Sequence, residues 1–184
     1  MIAGAPNIAL AEPGSRTPRG RVSAPREAHG GAGRDLDTID GIVAAATLSW
    51  NLPARVRRLA LPSLLYNAVD LQHMSIARVD ADTFGALGVA LWEDTGDAGQ
   101  AADKRAVLLH GLYIVPHYQR RGVGTRLLEL VADWARARGF ESLIARAWRE
   151  SESFFIARGF TARGVNTTTD TYPRTLCASL RSAS

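Results

Sequence analysis

The sequence predicts a single α/β domain in which one mixed sheet is covered by helices. Three observations carry that expectation. The chain has 184 residues, of which 46% are hydrophobic and 22% charged; this suits one globular core and is too short for two ordinary domains. Apolar residues recur with period two in some stretches and with period 3.6 in others, so strands and amphipathic helices are both present. Their order is helices, hairpin, central strand, helix, strand, helix, strand, strand, the alternation expected of a single sheet with helices packed on it.

Residues 1–34 come first and stand apart. They are rich in Gly, Ala, Pro and Arg, hold five Arg against two Glu, and show no sustained period. Such a stretch buries too little apolar surface to offset its ordering entropy, so it is expected to be flexible, with one short strand near 21–24. The folded domain is expected over 35–184. Asp35, Asp37 and Thr38 offer N-cap chemistry before Ile39, Ile42, Val43 and Ala46, which predicts a helix near 38–49. A second helical stretch is expected from Pro53 to Val69, kinked or restarted at Pro62. His73–Val79 and Phe84–Trp92 flank the turn-like Asp80-Ala81-Asp82 and read as a hairpin. Asp94–Lys104 reads as a polar loop. Val107–Val115 is apolar on both faces, the mark of a central strand. Over Val123–Arg138, Leu127, Leu128, Val131 and Ala135 form one stripe, and Gly139 closes the helix. Leu143–Ala147 is a strand, Glu150–Arg158 a short helix, Gly159–Arg163 a strand start, and Thr175–Leu180 a last strand. Ala-Arg-Gly-Phe occurs twice, at 137–140 and 157–160, each time where a helix passes into a strand.

Charge and composition exclude several classes of function. The formal net charge is +4, which hints at an anionic partner. Beyond residue 34, however, 17 basic residues face 16 acidic ones, and 21 of the 22 basic residues are Arg. A nearly neutral domain with a basic tail weakens an Arg-rich nucleic-acid-binding module as a reading. One cysteine, Cys177, excludes an internal disulfide and a multi-cysteine zinc site, and Cys177 itself fits a small buried position. His29, His73, His110 and His117 have no metal-ligand spacing, so no metal is expected. No apolar run reaches the ~18–20 residues of a membrane helix. Ala9-Leu10-Ala11 resembles a signal cleavage site, but no basic n-region precedes it, and a cytoplasmic protein without membrane contact is expected.

The chemistry concentrates between His110 and Leu128. An apolar strand ends at Pro116. The loop Gln119-Arg120-Arg121-Gly122-Val123-Gly124 then runs straight into a helix. A helix's first turn carries unpaired N–H groups and a partial positive charge. Two glycines clear side chains where an anion meets backbone, and two arginines add charge; together this is a phosphate grip. A nucleotide P-loop would place Lys after the glycines, and none follows. A dinucleotide fingerprint would place a third Gly at 127, which is Leu.

The run Leu112-x-Ile114-x-Pro116-x-Tyr118-Gln119-x-x-Gly122-x-Gly124-x-x-Leu127-Leu128 resembles the coenzyme A signature of the GCN5-related N-acetyltransferase (GNAT) superfamily. The later short helix ending in Gly159-Phe160 strengthens the likeness. The resemblance implies the acyl-CoA N-acyltransferase fold: a mostly antiparallel sheet with a splayed central strand pair and about four helices. It implies acetyl-CoA as co-substrate and a small-molecule or protein amine as acceptor, often in a homodimer. Main-chain N–H groups of Gln119, Arg120, Arg121, Gly122, Val123, Gly124 and Thr125 would hold the pyrophosphate. Leu112 and Ile114 would pair with the pantetheine arm as with an added strand. Ser151, Phe154, Phe155 and Arg158 would flank the arm and its sulfur.

Acetyl transfer needs a base for the amine and a route for the thiolate. His110 is the candidate base; strand parity places it with Leu108, Leu112 and Ile114 unless a bulge intervenes. His117 reads as a loop residue. The resemblance also implies a Tyr as leaving-group acid four residues before the closing Gly-Phe, but this chain has Phe155 there. Ser151, Ser153 and Tyr118 remain as donors, or the thiolate leaves unaided, since a thiol pKa of about 8.5 makes it a fair leaving group. The missing Tyr also motivates a second reading, a non-catalytic acyl-CoA-binding protein of the same fold. Trp92 and Trp148 read as strand-end packing, with lining of the acceptor cleft as the alternative; Glu93, Asp94 and Asp97 read as loop charges, with attraction of a cationic amine as the alternative; and Arg55, Arg57 and Arg58 read as a solvated helix face, near where the resemblance implies acceptors enter. Asn166-Thr167-Thr168 is a sequon without meaning in a cytoplasmic protein.

Overall fold

The computed structural model describes residues 21–23, 26–27, 32–81, 85–95, 105–162 and 173–180. Most of the N-terminal basic segment, the turn residues 82–84, the loop 96–104 and the 163–172 segment with its sequon lie outside the described residues. Within them, β1 (Arg21–Val22) and β2 (Arg26–Glu27) precede α1 (Ala32–Thr47), α2 (Ala54–Ala60) and α3 (Ala68–Gln72). The hairpin β3 (Ser75–Ala81) and β4 (Gly85–Asp94) follows, then β5 (Ala106–Ile114), α4 (Val123–Ala137), β6 (Ser142–Ala147), α5 (Arg149–Ile156), β7 (Thr161–Ala162) and β8 (Arg174–Ser179). The strands form one sheet in the order β1-β3-β4-β5-β6-β8-β7, with β2 also paired to β3. Only β5 and β6 run parallel among the described pairs; the others are antiparallel. The fold is therefore the expected mixed, mostly antiparallel sheet flanked by helices.

Each face of the sheet has its own core. On one side Leu127, Val131 and Ala135 of α4 meet Ala90, Trp92, Val107 and Leu109. On the other, Ile39, Ile42 and Val43 of α1 and Leu71 of α3 meet Ile76, Val89 and Leu91. Truncating one such side chain, for example Leu127→Ala, costs about 2–5 kcal/mol. No described helix is long and apolar enough to cross a membrane.

The helical boundaries differ from expectation for identifiable reasons. α1 starts at Ala32, ahead of the expected 38, because Leu36 extends its apolar stripe onto the second core. The stretch 53–69 is not one helix. Leu61–Ser63 tightens to a 3-10 turn around Pro62, and α3 restarts on a capping box. Asn67 Oδ1 accepts from the N–H of Val69 (2.8 Å) and Asp70 (2.9 Å), and Asp70 accepts from Asn67 N–H at 3.0 Å. That reciprocal pair satisfies otherwise orphaned donors. The two Ala-Arg-Gly-Phe copies end their helices alike: Gly139 (φ 73) and Gly159 (φ 81) are left-handed, and Phe140 and Phe160 N–H groups return to the Ala135 and Phe155 carbonyls at 3.0 and 3.2 Å. Both Phe side chains are buried, the hydrophobic contact that accompanies this cap.

Two irregularities in the middle of the sheet create the site. The parallel register ends at Leu109↔Ala145, although β5 continues to Ile114 and β6 to Ala147. The two strands therefore part into a wedge. Against β4, the register passes from Leu91↔Gly111 to Trp92↔Leu109. His110 is the extra residue of a β-bulge, which flips side-chain alternation beyond it. Leu109, Leu112 and Ile114 consequently face α4, while Tyr113 faces the core of α1 and α3. The expectation that Leu108, His110, Leu112 and Ile114 share one face is thereby corrected.

Candidate active site

A cavity of about 860 Å³ fills the wedge between β5 and β6, within the range of small-ligand sites. Its lower end is the turn between β5 and α4. A 3-10 turn, Pro116–Tyr118, delivers the chain to an extended Gln119. Arg120 has a left-handed φ of 57, and Gly122 follows at 83. For Arg120 this is a sparsely populated backbone state, the kind retained where the local geometry has a use. Gly122 is the N-cap of α4 and supplies no side-chain cap. The first intrahelical bond runs from Arg126 N–H to Gly122 O at 3.0 Å. The N–H groups of Val123, Gly124 and Thr125 therefore have no acceptor one turn back. A Cβ at Gly122 would meet nothing within 4 Å, and one at Gly124 would make ordinary contacts with the Phe154 ring at 3.4 Å and Ile114 Cγ1 at 3.7 Å. Bare backbone donors, a helix N-terminus and Arg120 at the rim fit a pyrophosphate group.

Neighbouring elements hold this turn in place. Gln119 Nε2 donates to Ile114 O at 3.1 Å and to Ser49 Oγ at 2.9 Å, tying the loop to the end of β5 and to the turn after α1. Arg57, expected on a solvated face, donates to Leu48 O at 2.9 Å and secures the same turn. Arg158 Nε reaches Thr125 Oγ1 at 3.2 Å and its Nη1 reaches Phe154 O at 3.0 Å, with the guanidinium 4.0 Å over the Phe154 ring. Arg158 thus clips α5 to the first turn of α4.

The β5 wall presents main-chain groups. Val115 N–H bonds Leu87 O at 2.9 Å, so Val115 faces β4. Alternation then turns the N–H and C=O of Leu112 and Ile114 away from β4, toward the wedge. Leu112, Ile114, Gln119, Arg120, Gly122, Gly124 and Thr125 all line the cavity, as do Ser151, Phe154, Phe155 and Arg158. Arg121 lies outside the lining, with its guanidinium 5.7 Å over the Tyr118 ring. Val123 also lies outside it, buried in the core. Tyr118 and Ser153 are not among the lining residues, and neither is His117. Phe155 is only 6% exposed and packs edge-on against Phe154 and Phe160.

His110 opens on the cavity, and its Nε2 lies 2.8 Å from Glu93 Oε1. Glu93, expected among loop charges, is inside β4 opposite Leu108. An ionised carboxylate can only accept, so Nε2 carries the hydrogen and the neutral ring keeps its lone pair on Nδ1. Behind the bulge sits a pair that the sequence does not reveal. Tyr66 donates its hydroxyl hydrogen to Tyr113; burial pushes both phenols above the ordinary tyrosine range, while accepting that bond pulls Tyr113 partly back. Gly111 makes this possible. A Cβ there would lie 2.3 Å from the Tyr113 ring and 2.6 Å from the Tyr66 hydroxyl.

Trp50 and Trp148 also line the cavity and face each other, with ring centroids 6.2 Å apart and planes inclined by 38°. Trp92 is the fully buried packing residue the sequence suggests, but Trp148 is 41% exposed. It occupies the N-cap of α5 and makes no side-chain cap. Ser, Asp or Asn there would stabilise the helix by about 0.5–2 kcal/mol more. Cys177, on β8, is half-buried.

The model of the acetyltransferase (GNAT) family matches residues 44–163. The chain belongs to that family. It is an acyltransferase of the GNAT type, in a family that works with acetyl-CoA. No curated protein sequence matches this GNAT chain. Among solved structures, it is similar to the PaiA N-acetyltransferase of Thermoplasma acidophilum in complex with coenzyme A, at 16% identity and TM-score 0.62 over 86% of this chain and 99% of that one. A GCN5-related N-acetyltransferase from Rhodopseudomonas palustris aligns at 20% identity and TM-score 0.60 over 92% and 99%. N-acetylglutamate synthase from Neisseria gonorrhoeae, complexed with coenzyme A and L-arginine, aligns at 21% and 0.56 over 88% of this chain but 34% of that one. At these identities the likeness is one of fold.

Proposed function

We propose that this protein transfers the acetyl group of acetyl-CoA to a primary amine by direct attack within a ternary complex. The observation that carries the reading is His110, which lines the cavity that also holds the cofactor turn and which is paired at the bulge with Glu93. When bound, acetyl-CoA supplies an activated acetyl thioester. The backbone donors of Gly122–Thr125 and the Arg120 side chain hold its pyrophosphate, and the wedge-facing groups of Leu112 and Ile114 hold its pantetheine arm. An acceptor amine arrives mostly protonated, since a primary alkyl amine has a pKa of about 10.4. Glu93 fixes the His110 ring so that Nδ1 is the free base, and Nδ1 takes the proton that makes the amine nucleophilic. Phe155 has no proton to give. The thiolate leaves unassisted, which its modest basicity permits.

Release of free thiol from acetyl-CoA across a panel of primary amines, beside a thermal-shift titration with acetyl-CoA, tests the proposal. Stabilisation with amine-dependent thiol release is expected. Stabilisation without turnover of any amine would favour the acyl-CoA-binding reading that Phe155 motivates. No stabilisation at saturating acetyl-CoA would remove both.

A further inference from the structure

We infer that the Trp50–Trp148 pair selects the acceptor, and that the acceptor is a primary amine carried on a flat aromatic body. The word acceptor rests on the acetyl-transfer reading above; the aromatic site itself does not. Both indoles line the cavity yet come from separate parts of the chain, the turn after α1 and the junction of β6 with α5. Neither belongs to the buried core of either face, whereas Trp92 and Trp134 pack in the core of the α4 side. Trp148 leaves 41% of its surface exposed at a helix N-cap that it does not cap. Folding therefore gains little from tryptophan at this position, and a binding role accounts for it.

The geometry suits an aromatic guest. Rings 6.2 Å apart and inclined by 38° form an open V, not a closed stack. An aryl group laid against either face gains offset or edge contact. The indole faces also attract the ammonium form of an arriving amine, and Glu150 is the carboxylate on a lining that also carries Arg120, Arg146 and Arg158. Trp50 follows Ser49, which accepts from Gln119 of the cofactor turn, so the aromatic pair and that turn are mechanically linked.

The test compares 2-phenylethylamine with propylamine, using wild type, Trp148→Ala and Trp148→Ser. Serine restores N-cap chemistry, so Trp148→Ser is expected to melt at or above the wild-type temperature and serves as the folded control. Wild type should show a lower KM for 2-phenylethylamine than for propylamine. Both variants should raise the KM for 2-phenylethylamine by about tenfold or more, with acetyl-CoA affinity within about twofold of wild type. Equal KM values for the two amines in wild type would overturn the proposal. So would a loss of acetyl-CoA affinity with unchanged amine KM, which would give the indoles to the cofactor. If acetyl-CoA binds but no amine turns over, acetyl transfer fails on its own. Tryptophan fluorescence of the acetyl-CoA complex then decides: saturable quenching by 2-phenylethylamine and not by propylamine upholds the pair, and no quenching overturns it.

Discussion

Glu93 Oε1 sits 2.8 Å from His110 Nε2, and His110 is the residue that the ladder of β5 with β4 skips between Leu109 and Gly111. The bulge and the hydrogen bond explain each other. An inserted residue frees the imidazole from strand alternation, and a carboxylate on the neighbouring strand then fixes its orientation and tautomer. Glu93→Gln keeps the shape but not the charge, and its amide can donate to Nε2. The ring then has less reason to keep its lone pair on Nδ1. The expected result is lower kcat with little change in acetyl-CoA affinity, and a pH–rate profile displaced from wild type. A merely structural role would leave the profile where it was.

The cofactor turn makes a sharper prediction. Gly124→Glu places a carboxylate at the first turn of α4, where the backbone donors are aimed. Acetyl-CoA binding should be lost in calorimetry while the protein stays folded. Gly122→Ala should cost about 1 kcal/mol of stability through its left-handed backbone, without adding charge, and should weaken binding less. Unchanged affinity in Gly124→Glu would place the pyrophosphate elsewhere.

Gly111→Ala tests the packing behind the bulge. The new methyl would fall 2.3 Å from the Tyr113 ring and 2.6 Å from the Tyr66 hydroxyl. Overpacking of this kind costs about 1–3 kcal/mol, to be read as a lowered denaturant midpoint. Pairing it with Tyr66→Phe should recover part of the loss, because the hydroxyl is one of the two obstacles.

The same tyrosines predict an alkaline effect. Both have folded-state pKa values raised above the ordinary 10.0, chiefly by burial. The native state therefore holds these protons more tightly than the unfolded chain. The associated stability is complete below about pH 10 and is lost as pH rises past it. Of the four tyrosines in the chain, these two should form phenolate only as the protein unfolds. Phenolate absorbance followed beside circular dichroism checks this; full titration of both without loss of structure would contradict it.

The parts of the fold governed by local rules are legible in the sequence. The strand–turn–helix from Ala106 to Ala137 follows from apolar pattern, Gly122 and Gly139, and the repeated Gly-Phe ends follow from left-handed caps. The site is legible only up to its cofactor end. Nothing local announces that His110 is a bulge, because the space over Gly111 is filled by the Tyr113 ring together with Tyr66, which is brought from far along the chain. Glu93 reads as a loop charge until β4 is seen to extend past Trp92. The Asn67–Asp70 capping box is a readable signal, masked by the helical pattern around Pro62. Trp50 and Trp148 meet only when β6 parts from β5, a tertiary event with no period of its own.

The most direct measurement of the account is the pH dependence of kcat/KM for wild type and His110→Ala with one accepted amine. If His110 deprotonates the acceptor, the variant should lose about 10²–10⁴-fold in rate, retain its affinity for acetyl-CoA, and show a pH profile different from that of wild type. An unaltered rate and profile in His110→Ala would contradict the central claim, whatever the cofactor turn does.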